Sequence, residues 1–216
     1  MPINVIFDMD GVMVNSEPAI LEAAIRGLSE FGINAVKEDF IPFIGAGEDK
    51  FVGGVAENHG VPYIYAMKDR VYEVYLDIVD EKLGLYDGIY PLLDYLKSHA
   101  IPCVVASSAD RVKVEANLRV AGFDLSQFGA VISGSEVVNK KPDPEIFLTA
   151  AAKINADPSD CIVIEDAVNG IMAAHAAGMR CIAVTTSFSR EILAKSAPEF
   201  IIDDVSLAIN CLKSFI

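Results

Sequence analysis

Apolar and polar positions divide the chain into two segments with different spacing. Between residues 18 and 85, apolar side chains recur three or four positions apart, and no alternating strand pattern occurs. This spacing predicts helices, because it places the apolar side chains on one face of each helix. The predicted helices cover residues 18–31, 51–60 and 63–83. Residues 16–85 are therefore expected to form an all-helical block, which we call the cap.

The remainder of the chain alternates between short apolar runs and helical spacing. One strand precedes the cap and ends at Phe7. Later strands are predicted at residues 102–106, 130–132, 161–164, 181–185 and 200–202, with helices at 91–99, 111–121, 145–154, 169–177, around 191 and at the C-terminal end. Alternation of this kind predicts an α/β fold, a doubly wound parallel sheet covered by helices on both faces. We expect residues 1–15 and 86–216 to form this core, with the cap inserted after the first strand.

Two acidic residues directly follow the first strand. Asp8 and Asp10 lie one residue apart, and Gly11 after them permits a sharp turn. In open α/β sheets the chemistry lies beyond the carboxyl ends of the strands, where a crevice opens. The pair therefore indicates a site at this end of the sheet, although a turn without chemistry explains this stretch equally well on its own.

Two later loops place polar groups after predicted strands. Ser107 and Ser108 follow the strand at 102–106, and their hydroxyls and free amides suit a phosphate at the start of a helix. Ordinary helix capping is the simpler explanation of this loop when it is judged alone. Lys141 precedes a proline, which biases its backbone towards an extended conformation and fixes the direction of the cation. A solvated pair of lysines, Lys140 and Lys141, is the simpler explanation of that loop in isolation.

Glu165 and Asp166 are adjacent acids at the end of a predicted buried strand. Burying unpaired carboxylates costs free energy, and their mutual repulsion raises their pKa values. With Asp8 and Asp10 they make a group of four carboxylates that faces one cation, that of Lys141. A divalent ion removes this difficulty, and Mg²⁺ is suited because it takes oxygen ligands and binds one or two carboxylates together with phosphate and water.

The bulk properties narrow the functional classes. The 216 residues are 52% hydrophobic with a mean hydropathy of +0.37, enough for a sizeable core in one domain or in one domain with an insertion. A net charge of −14 argues against nucleic acid and anionic membrane surfaces as partners. The four cysteines lack CxxC spacing and favour a reduced compartment. We expect a cytoplasmic protein without a membrane span, as a monomer or weak dimer.

Four motifs in order carry a family resemblance. They are Asp8-Met-Asp10-Gly-Val, Ser107, Lys141-Pro-Asp-Pro and Glu165-Asp166. Together they resemble the haloacid dehalogenase superfamily of phosphotransferases, and the cap after the first motif resembles that of its β-phosphoglucomutase-like branch. The resemblance spans essentially the whole chain, and the ordered set is far more specific than any single motif.

The resemblance implies phosphoryl transfer through an aspartyl-phosphate. Asp8 would be the nucleophile, because an ordinary aspartate is ionised at neutral pH. Asp10 would protonate the leaving oxygen and then activate water. Ser107 and Lys141 would hold the transferring oxygens, and Mg²⁺ would neutralise the developing charge. The implied Mg²⁺ ligands are Asp8, Glu165, Asp166 and the backbone carbonyl of Asp10.

The cap is expected to select the substrate, a small phosphorylated metabolite. Its loop at residues 45–50 is the best candidate to face the core, with Gly45, Gly47, Glu48 and Lys50 as substrate-binding residues beside Ser108; a plain turn between cap helices is the competing explanation. Glu48 falls where sugar-phosphate mutases of this branch carry an arginine, which suits a second phosphate. Glu48 would repel that phosphate, although Lys50 could partly substitute. We therefore expect a hydrolase, acting on a sugar phosphate, in preference to a mutase.

Three other functions are weighed against the hydrolase. A β-phosphoglucomutase remains the nearest alternative. A dehalogenase is disfavoured, because such relatives lack an acid at the position of Asp10. A non-catalytic metal-binding or regulatory module would have no need of buried like charges, so the full set of motifs speaks against it.

Overall fold

The computed structural model describes residues 3–45 and 47–215, and Ala46 of the predicted substrate loop lies outside them. The strands in the described residues are β1 (Asn4–Phe7), β2 (Val14–Asn15), β3 (Gly84–Leu85), β4 (Cys103–Ala106), β5 (Ala130–Ile132), β6 (Cys161–Glu165), β7 (Arg180–Val184) and β8 (Phe200–Ile202). The α-helices there are α1 (Glu17–Ser29), α2 (Lys37–Phe40), α3 (Glu48–Asn58), α4 (Tyr65–Lys82), α5 (Ile89–Ser98), α6 (Arg111–Ala121), α7 (Glu145–Lys153), α8 (Val168–Ala176), α9 (Arg190–Leu193) and α10 (Ala208–Lys213).

Six strands form one parallel sheet in the order β5-β4-β1-β6-β7-β8. The strand β1 lies in the middle, with β4 on one side and β6 on the other, so the strand order reverses there. In doubly wound sheets such a reversal opens a crevice beyond the carboxyl ends of the strands. The predicted fold class is confirmed, and the site predicted after β1 lies at the reversal.

The sheet is covered by helices on both faces, which explains why its central strands β1, β4, β6 and β7 are apolar between their end residues. In β1, Val5 and Phe7 pack into one core cluster with α5, α6 and α10. Ile6 points to the opposite face and packs with α7, α8 and α9. A parallel sheet covered in this way needs apolar residues at successive positions rather than at alternate ones. Between Asn4 and Asp8, the three successive buried positions of β1 therefore leave no solvent face for a polar residue.

The cap helices α1 to α4 build a third core cluster of their own, with Leu28, Phe40 and Tyr75 among its fully buried side chains. The three predicted cap helices correspond to α1, α3 and α4; the four-residue α2 is too short to show a periodic pattern. Ala116 of α6 packs into the same cluster, so the cap rests on this core helix. None of the described helices is long and apolar enough to cross a bilayer.

A short antiparallel ribbon joins the two ends of the cap. It pairs Val14 with Leu85 and Asn15 with Gly84, at the points where the chain leaves and re-enters the sheet region. The prediction that residues 18–85 contain no strand is therefore wrong at β3. Two residues, one of them a glycine, cannot display alternation, and the partner strand lies far away in the sequence. The division into a core of 1–15 and 86–216 and a cap of 16–85 stays a prediction.

Candidate active site

The carboxyl ends of β1, β4 and β6 open into one pocket. Asp8 directly follows β1, and its backbone N–H donates to the carbonyl of Ile164 (2.9 Å), which continues the parallel ladder and fixes the height of the carboxylate. Ser107 occupies the corresponding position after β4. The pocket brings together the predicted catalytic and metal-binding residues Asp8, Asp10, Ser107, Lys141, Glu165 and Asp166.

Lys141 reaches this pocket from the loop between β5 and α7. Its buried Nζ lies 2.5 Å from Asp8 Oδ1 and 2.8 Å from Glu165 Oε1. The ammonium also lies 4.6 Å from the centre of the Phe147 ring, which packs against it from α7. Lys140 turns away and donates to the carbonyl of Gly134. The two lysines are therefore not a solvated pair, and Lys141 is committed to two carboxylates.

Both oxygens of Glu165 have partners. Its Oε1 accepts from Lys141, and its Oε2 accepts from the backbone N–H groups of Asp166 (2.7 Å) and Ala167 (2.6 Å) at the start of α8. Gly170 on the first turn of α8 makes room for this carboxylate, because a Cβ there would lie 1.7 Å from Glu165 Oε1. The geometry makes Glu165 a buried anchor for the Lys141 ammonium.

Asp166 is held from the opposite side by the turn after β1 and the loop after β7. The Ser187 hydroxyl donates to Asp166 Oδ2. Gly11, with φ +82°, passes so close that a Cβ would lie 1.8 Å from the same oxygen. Only glycine combines this backbone conformation with this approach. The neighbouring Thr186 hydroxyl donates to the carbonyl of Gly11 and ties the turn to the β7 loop.

Burial controls the protonation of these groups. It raises the pKa of Asp8 to about 7, against the opposing effect of the Lys141 ammonium. It raises the pKa of Asp166 well above its ordinary value, and the charges of Glu165 and Asp8 add to the rise. For Lys141, burial lowers the pKa, but the two carboxylates outweigh this effect and the net shift is upward. The lysine is therefore protonated at neutral pH, while Asp8 and Asp166 need further positive charge to ionise fully.

The side chain of Asp10 is more exposed than that of Asp8, at 29% against 9%. Its Oδ1 accepts from the Ser16 hydroxyl, from Lys113 Nζ at 3.1 Å and from Asn117 Nδ2 at 3.3 Å. Its Oδ2 accepts from the Ser107 hydroxyl at 3.4 Å. Asp10 is thus fixed through one oxygen, and the other faces the serine that follows β4.

Lys113, a buried residue of α6, joins Asp10 to the cap. Its Nζ lies 3.3 Å from Oε1 of Glu48, the first residue of α3. Burial lowers the pKa of Lys113, but the Asp10 and Glu48 carboxylates more than reverse this effect, so the lysine is charged. Burial also raises the pKa of Glu48, although Lys113 opposes that shift. Lys113 thus bridges a core carboxylate and a cap carboxylate.

The predicted substrate-binding residues are distributed unevenly. Gly45, Gly47, Glu48 and Ser108 line the pocket together with the strand-end acids. Lys50 is exposed one turn into α3 and is not among the described residues that line the pocket; Phe51 faces it instead. The loop at 45–50 therefore does more than connect two cap helices, since three of its residues face the core.

Sequence reasoning missed Lys113, Asn117, Ser16 and Ser187. Lys113 and Asn117 lie four positions apart on α6, one turn of helix, and interrupt an otherwise apolar surface. This spacing was the available signal, but it also fits a polar face exposed to solvent. Ser16 and Ser187 lie in loops, where serine is common. Their contacts depend on segments that meet only in the folded protein.

The residues at the strand ends fit a divalent cation. Asp8, Glu165 and Asp166 each place a carboxylate oxygen within 4.8 Å of the others. An all-oxygen donor set suits Mg²⁺ better than a soft metal. Since Glu165 already serves Lys141 and two amides, Asp8 Oδ2 and Asp166 Oδ1 are the oxygens without a hydrogen bond in residues 3–45 and 47–215. The upward pKa shifts of Asp8 and Asp166 are those that a bound cation would reverse.

Comparison with known proteins identifies the family. Residues 5–184 match the family described as haloacid dehalogenase-like hydrolase. The chain is 44% identical over 211 residues to Protein SUPPRESSOR OF QUENCHING 1, chloroplastic, from Arabidopsis thaliana, a match that covers 95% of this chain and 20% of that protein. It is 30% identical over 207 residues to hexitol phosphatase B of Escherichia coli K12, covering 94% of this chain and 90% of that enzyme.

Structural comparison agrees with the sequence matches. The β-phosphoglucomutase of Clostridium difficile superposes with a TM-score of 0.87 at 25% identity, covering 99% of this chain and 96% of that one. The chain thus spans a fifth of the Arabidopsis relative and nearly all of the two bacterial enzymes. The predicted resemblance, fold and enzyme class are confirmed, while the cytoplasmic location and the oligomeric state stay predictions. The chain belongs to the haloacid dehalogenase-like hydrolase family.

Proposed function

We propose that this chain is a Mg²⁺-dependent phosphomonoester hydrolase that acts on a small phosphorylated metabolite, a sugar or polyol phosphate, through an aspartyl-phosphate on Asp8. One observation carries the proposal. Asp8 and Asp10 share a pocket with a buried lysine, a serine hydroxyl and a cluster of acids that fits a divalent cation. Membership of a hydrolase family supports the same reaction class, as does the similarity to hexitol phosphatase B.

In the first half of the reaction, Asp8 attacks the phosphorus atom of the bound ester. Lys141 holds the carboxylate in place through Oδ1, and one of its two oxygens attacks while the other would be left for Mg²⁺. As the new oxygen–phosphorus bond forms, the bond to the leaving oxygen breaks, and Asp10 donates a proton to that oxygen. Lys141 and Ser107 stabilise the charge on the transferring oxygens, since both line the pocket beside Asp8.

In the second half, the aspartyl-phosphate is hydrolysed. Asp10, now ionised, accepts a proton from water as the water oxygen attacks phosphorus, and the bond to Asp8 breaks to release inorganic phosphate. The same carboxylate thus acts first as an acid and then as a base, and the enzyme returns to its starting protonation state. The 29% exposure of the Asp10 side chain gives it access to both the leaving group and water.

Asp8 and Asp166 would hold Mg²⁺ through carboxylate oxygens, with the backbone carbonyl of Asp10 as the third ligand from the chain. When bound, the ion supplies positive charge that lowers the pKa values of the acids and offsets the charge of the phosphate. Glu165 would support the site by holding Lys141 and the first amides of α8. This arrangement assigns Glu165 an indirect part in cation binding.

The cap side of the pocket favours a substrate with a single phosphate. Ile20, Phe43 and Phe51 contribute apolar surface, and Glu48 contributes a carboxylate. Lys113, which pairs with Glu48, is also engaged by Asp10. A second phosphate at this end would meet a carboxylate and would have to displace that ion pair. This arrangement supports a hydrolase over a mutase, which must bind both phosphates of a bisphosphate.

Phosphate release from a panel of small phosphate esters tests the proposal, with Mg²⁺ or a chelator and with wild type, Asp8→Asn and Asp10→Asn. We expect release that requires Mg²⁺ and is lost in Asp8→Asn. With 4-nitrophenyl phosphate, Asp10→Asn should give a stoichiometric burst of nitrophenolate and a phosphorylated protein detectable by mass, because a good leaving group needs no acid whereas hydrolysis of the intermediate needs a base.

Two other outcomes of these assays would favour a different function. The structural similarity to a β-phosphoglucomutase keeps the mutase as second candidate. Isomerisation of a sugar 1-phosphate that depends on a bisphosphate, without net phosphate release, would establish it. Mg²⁺ binding without turnover in either assay would identify a non-catalytic module.

A further inference from the structure

Two residues of α6 converge on a single oxygen of Asp10. Lys113 and Asn117 are four positions apart, so they lie one above the other on the same face of the helix. Lys113 Nζ lies 3.1 Å and Asn117 Nδ2 3.3 Å from Asp10 Oδ1. Both side chains are buried, at 4% and 0% exposure, which is unusual for these residue types. The predicted roles at the strand ends account for neither of them.

Each of these residues is held in turn by a residue of the cap. Glu48, at the start of α3, accepts from Lys113 at 3.3 Å. Tyr75 of α4, which is fully buried, donates its hydroxyl to Asn117 Oδ1. Because that oxygen is occupied by the tyrosine, the amide nitrogen of Asn117 is directed at Asp10. Two separate cap helices therefore act on Asp10, each through one residue of α6.

The two oxygens of Asp10 consequently differ. Oδ1 accepts from Lys113, Asn117 and the Ser16 hydroxyl, which saturates it. Within the described part of the chain, Oδ2 accepts only from the Ser107 hydroxyl, at a long 3.4 Å. A proton can be exchanged with the substrate only through an oxygen that is not already fully engaged. Oδ2 is that oxygen, and it lies on the side of the phosphate-holding serine.

We propose that Lys113 and Asn117 are positioning residues for Asp10, and that Glu48 and Tyr75 hold them from the cap so that the seated cap presents Asp10 Oδ2 to the leaving oxygen. The inference rests on the proposed phosphatase function. The proton on Oδ2 passes to the leaving alkoxide as the phosphorus–oxygen bond breaks, and water returns one to the enzyme in the second half-reaction. In this proposal both residues act through Asp10, and neither binds the phosphate itself.

The test compares kcat/KM for two esters, since kcat/KM reports the steps up to phosphorylation of Asp8. Glycerol 3-phosphate has a poor leaving group that needs a proton, whereas 4-nitrophenyl phosphate does not. We expect Lys113→Met and Asn117→Leu to lower kcat/KM for glycerol 3-phosphate about tenfold to a hundredfold more than for 4-nitrophenyl phosphate. Tyr75→Phe, which removes one hydroxyl, should lower kcat/KM for glycerol 3-phosphate about fivefold more than for 4-nitrophenyl phosphate.

Arg119→Gln is the matched control. Arg119 also lies on α6 and also reaches the cap, through a two-pronged contact with Asp80 of α4, but it has no contact with Asp10. We expect Arg119→Gln to change kcat/KM for both esters by the same factor or not at all. Because Lys113→Met leaves the carboxylates of Asp10 and Glu48 without the ammonium between them, the double variant Glu48→Gln/Lys113→Met removes one of those charges. This variant should fold while keeping the ester selectivity.

The outcomes separate the inference from the function on which it rests. An equal loss on both esters in the folded variants would overturn the positioning role and leave the phosphatase intact. Selectivity in Arg119→Gln as large as in Tyr75→Phe would also overturn it, since any loosening of the cap would then suffice. A wild-type protein that releases phosphate from neither ester would refute the proposed function, and the inference with it.

Discussion

The pocket contains two buried lysines, each set between two carboxylates, and the two arrangements differ in what builds them. The Lys141 cluster (Asp8, Lys141 and Glu165) draws on strand ends and one loop of the α/β core. The Lys113 cluster (Asp10, Lys113 and Glu48) takes one carboxylate from the core and the other from the cap. The first is complete without the cap, and the second is not.

This difference separates two tasks that the proposed reaction requires. Phosphoryl transfer needs a nucleophile and positive charge at fixed positions, which the carboxyl ends of a rigid parallel sheet supply. Protonation of the leaving group is useful only when a substrate is enclosed, because water competes for the proton in an open site. A cluster that is completed by the cap suits the second task.

The largest expected contrast is between Lys141→Met and Lys113→Met. Lys141→Met should lower kcat/KM by about 10²- to 10³-fold for aryl and alkyl esters alike, because it removes the positive charge beside Asp8, the proposed nucleophile. Lys113→Met should affect chiefly the alkyl ester. Steady-state kinetics on both esters decides this, and an ester-selective loss in Lys141→Met would contradict the separation of tasks.

Gly11→Ala should displace Asp166 and so disturb the part of the pocket around Asp8 and Asp166. The new Cβ would lie 1.8 Å from Asp166 Oδ2 at a φ of +82°, so the carboxylate must move. We expect the rate of phosphate release to fall about a hundredfold for both esters. The circular dichroism spectrum should be unchanged, which would show that the fold is retained. Gly178→Ala is the control, since it has a similar φ of +74° but its Cβ would meet no described atom within 4 Å. Equal losses in the two variants would attribute the effect to backbone strain alone.

Mg²⁺ should stabilise the protein by binding at Asp8 and Asp166, and this binding should not depend on the Lys113 cluster. At a concentration a hundred times the dissociation constant, a ligand that binds the folded state adds about 2.7 kcal/mol to the free energy of unfolding. We expect this gain in wild type and Lys113→Met, measured by urea unfolding with and without chelator, and its loss in Asp166→Asn. A Mg²⁺ effect that disappears in Lys113→Met would place the cation elsewhere.

Per pH unit, the smallest expected change in stability is a pH dependence in the presence of chelator. Folded Asp8, with a pKa of about 7, retains a proton that an unfolded aspartate, with its ordinary value of 3.8, releases. The unfolded state therefore binds fewer protons between these values, and the free energy of unfolding should fall as pH rises from 4 to 7, by up to about 1.4 kcal/mol per pH unit. Asp8→Asn should reduce this slope and leave the part that Asp166 contributes, because the pKa of Asp166 is also raised. Stability that rises across the window would refute the assignment.

The sequence by itself determined the fold class and the residues of the Lys141 cluster. Continuous apolar strands can be buried only in a sheet covered on both faces, and the carboxyl ends of its parallel strands meet at one edge. Acids at the carboxyl ends of such strands, as Asp8 and Glu165 are, must therefore converge. Their positions follow from local pattern and topology, so reading the chain in order was sufficient.

Only the tertiary structure decided the Lys113 cluster, the ribbon between β2 and β3 and the partners of Glu165. Lys113 acquires its role because the cap rests on α6 and brings Glu48 beside it, a contact between helices that no spacing in the sequence encodes. The ribbon pairs two residues with two others across the whole cap. Such contacts depend on how separately patterned units pack together, and packing is set by the shapes of complete surfaces rather than by the order of residues along one element.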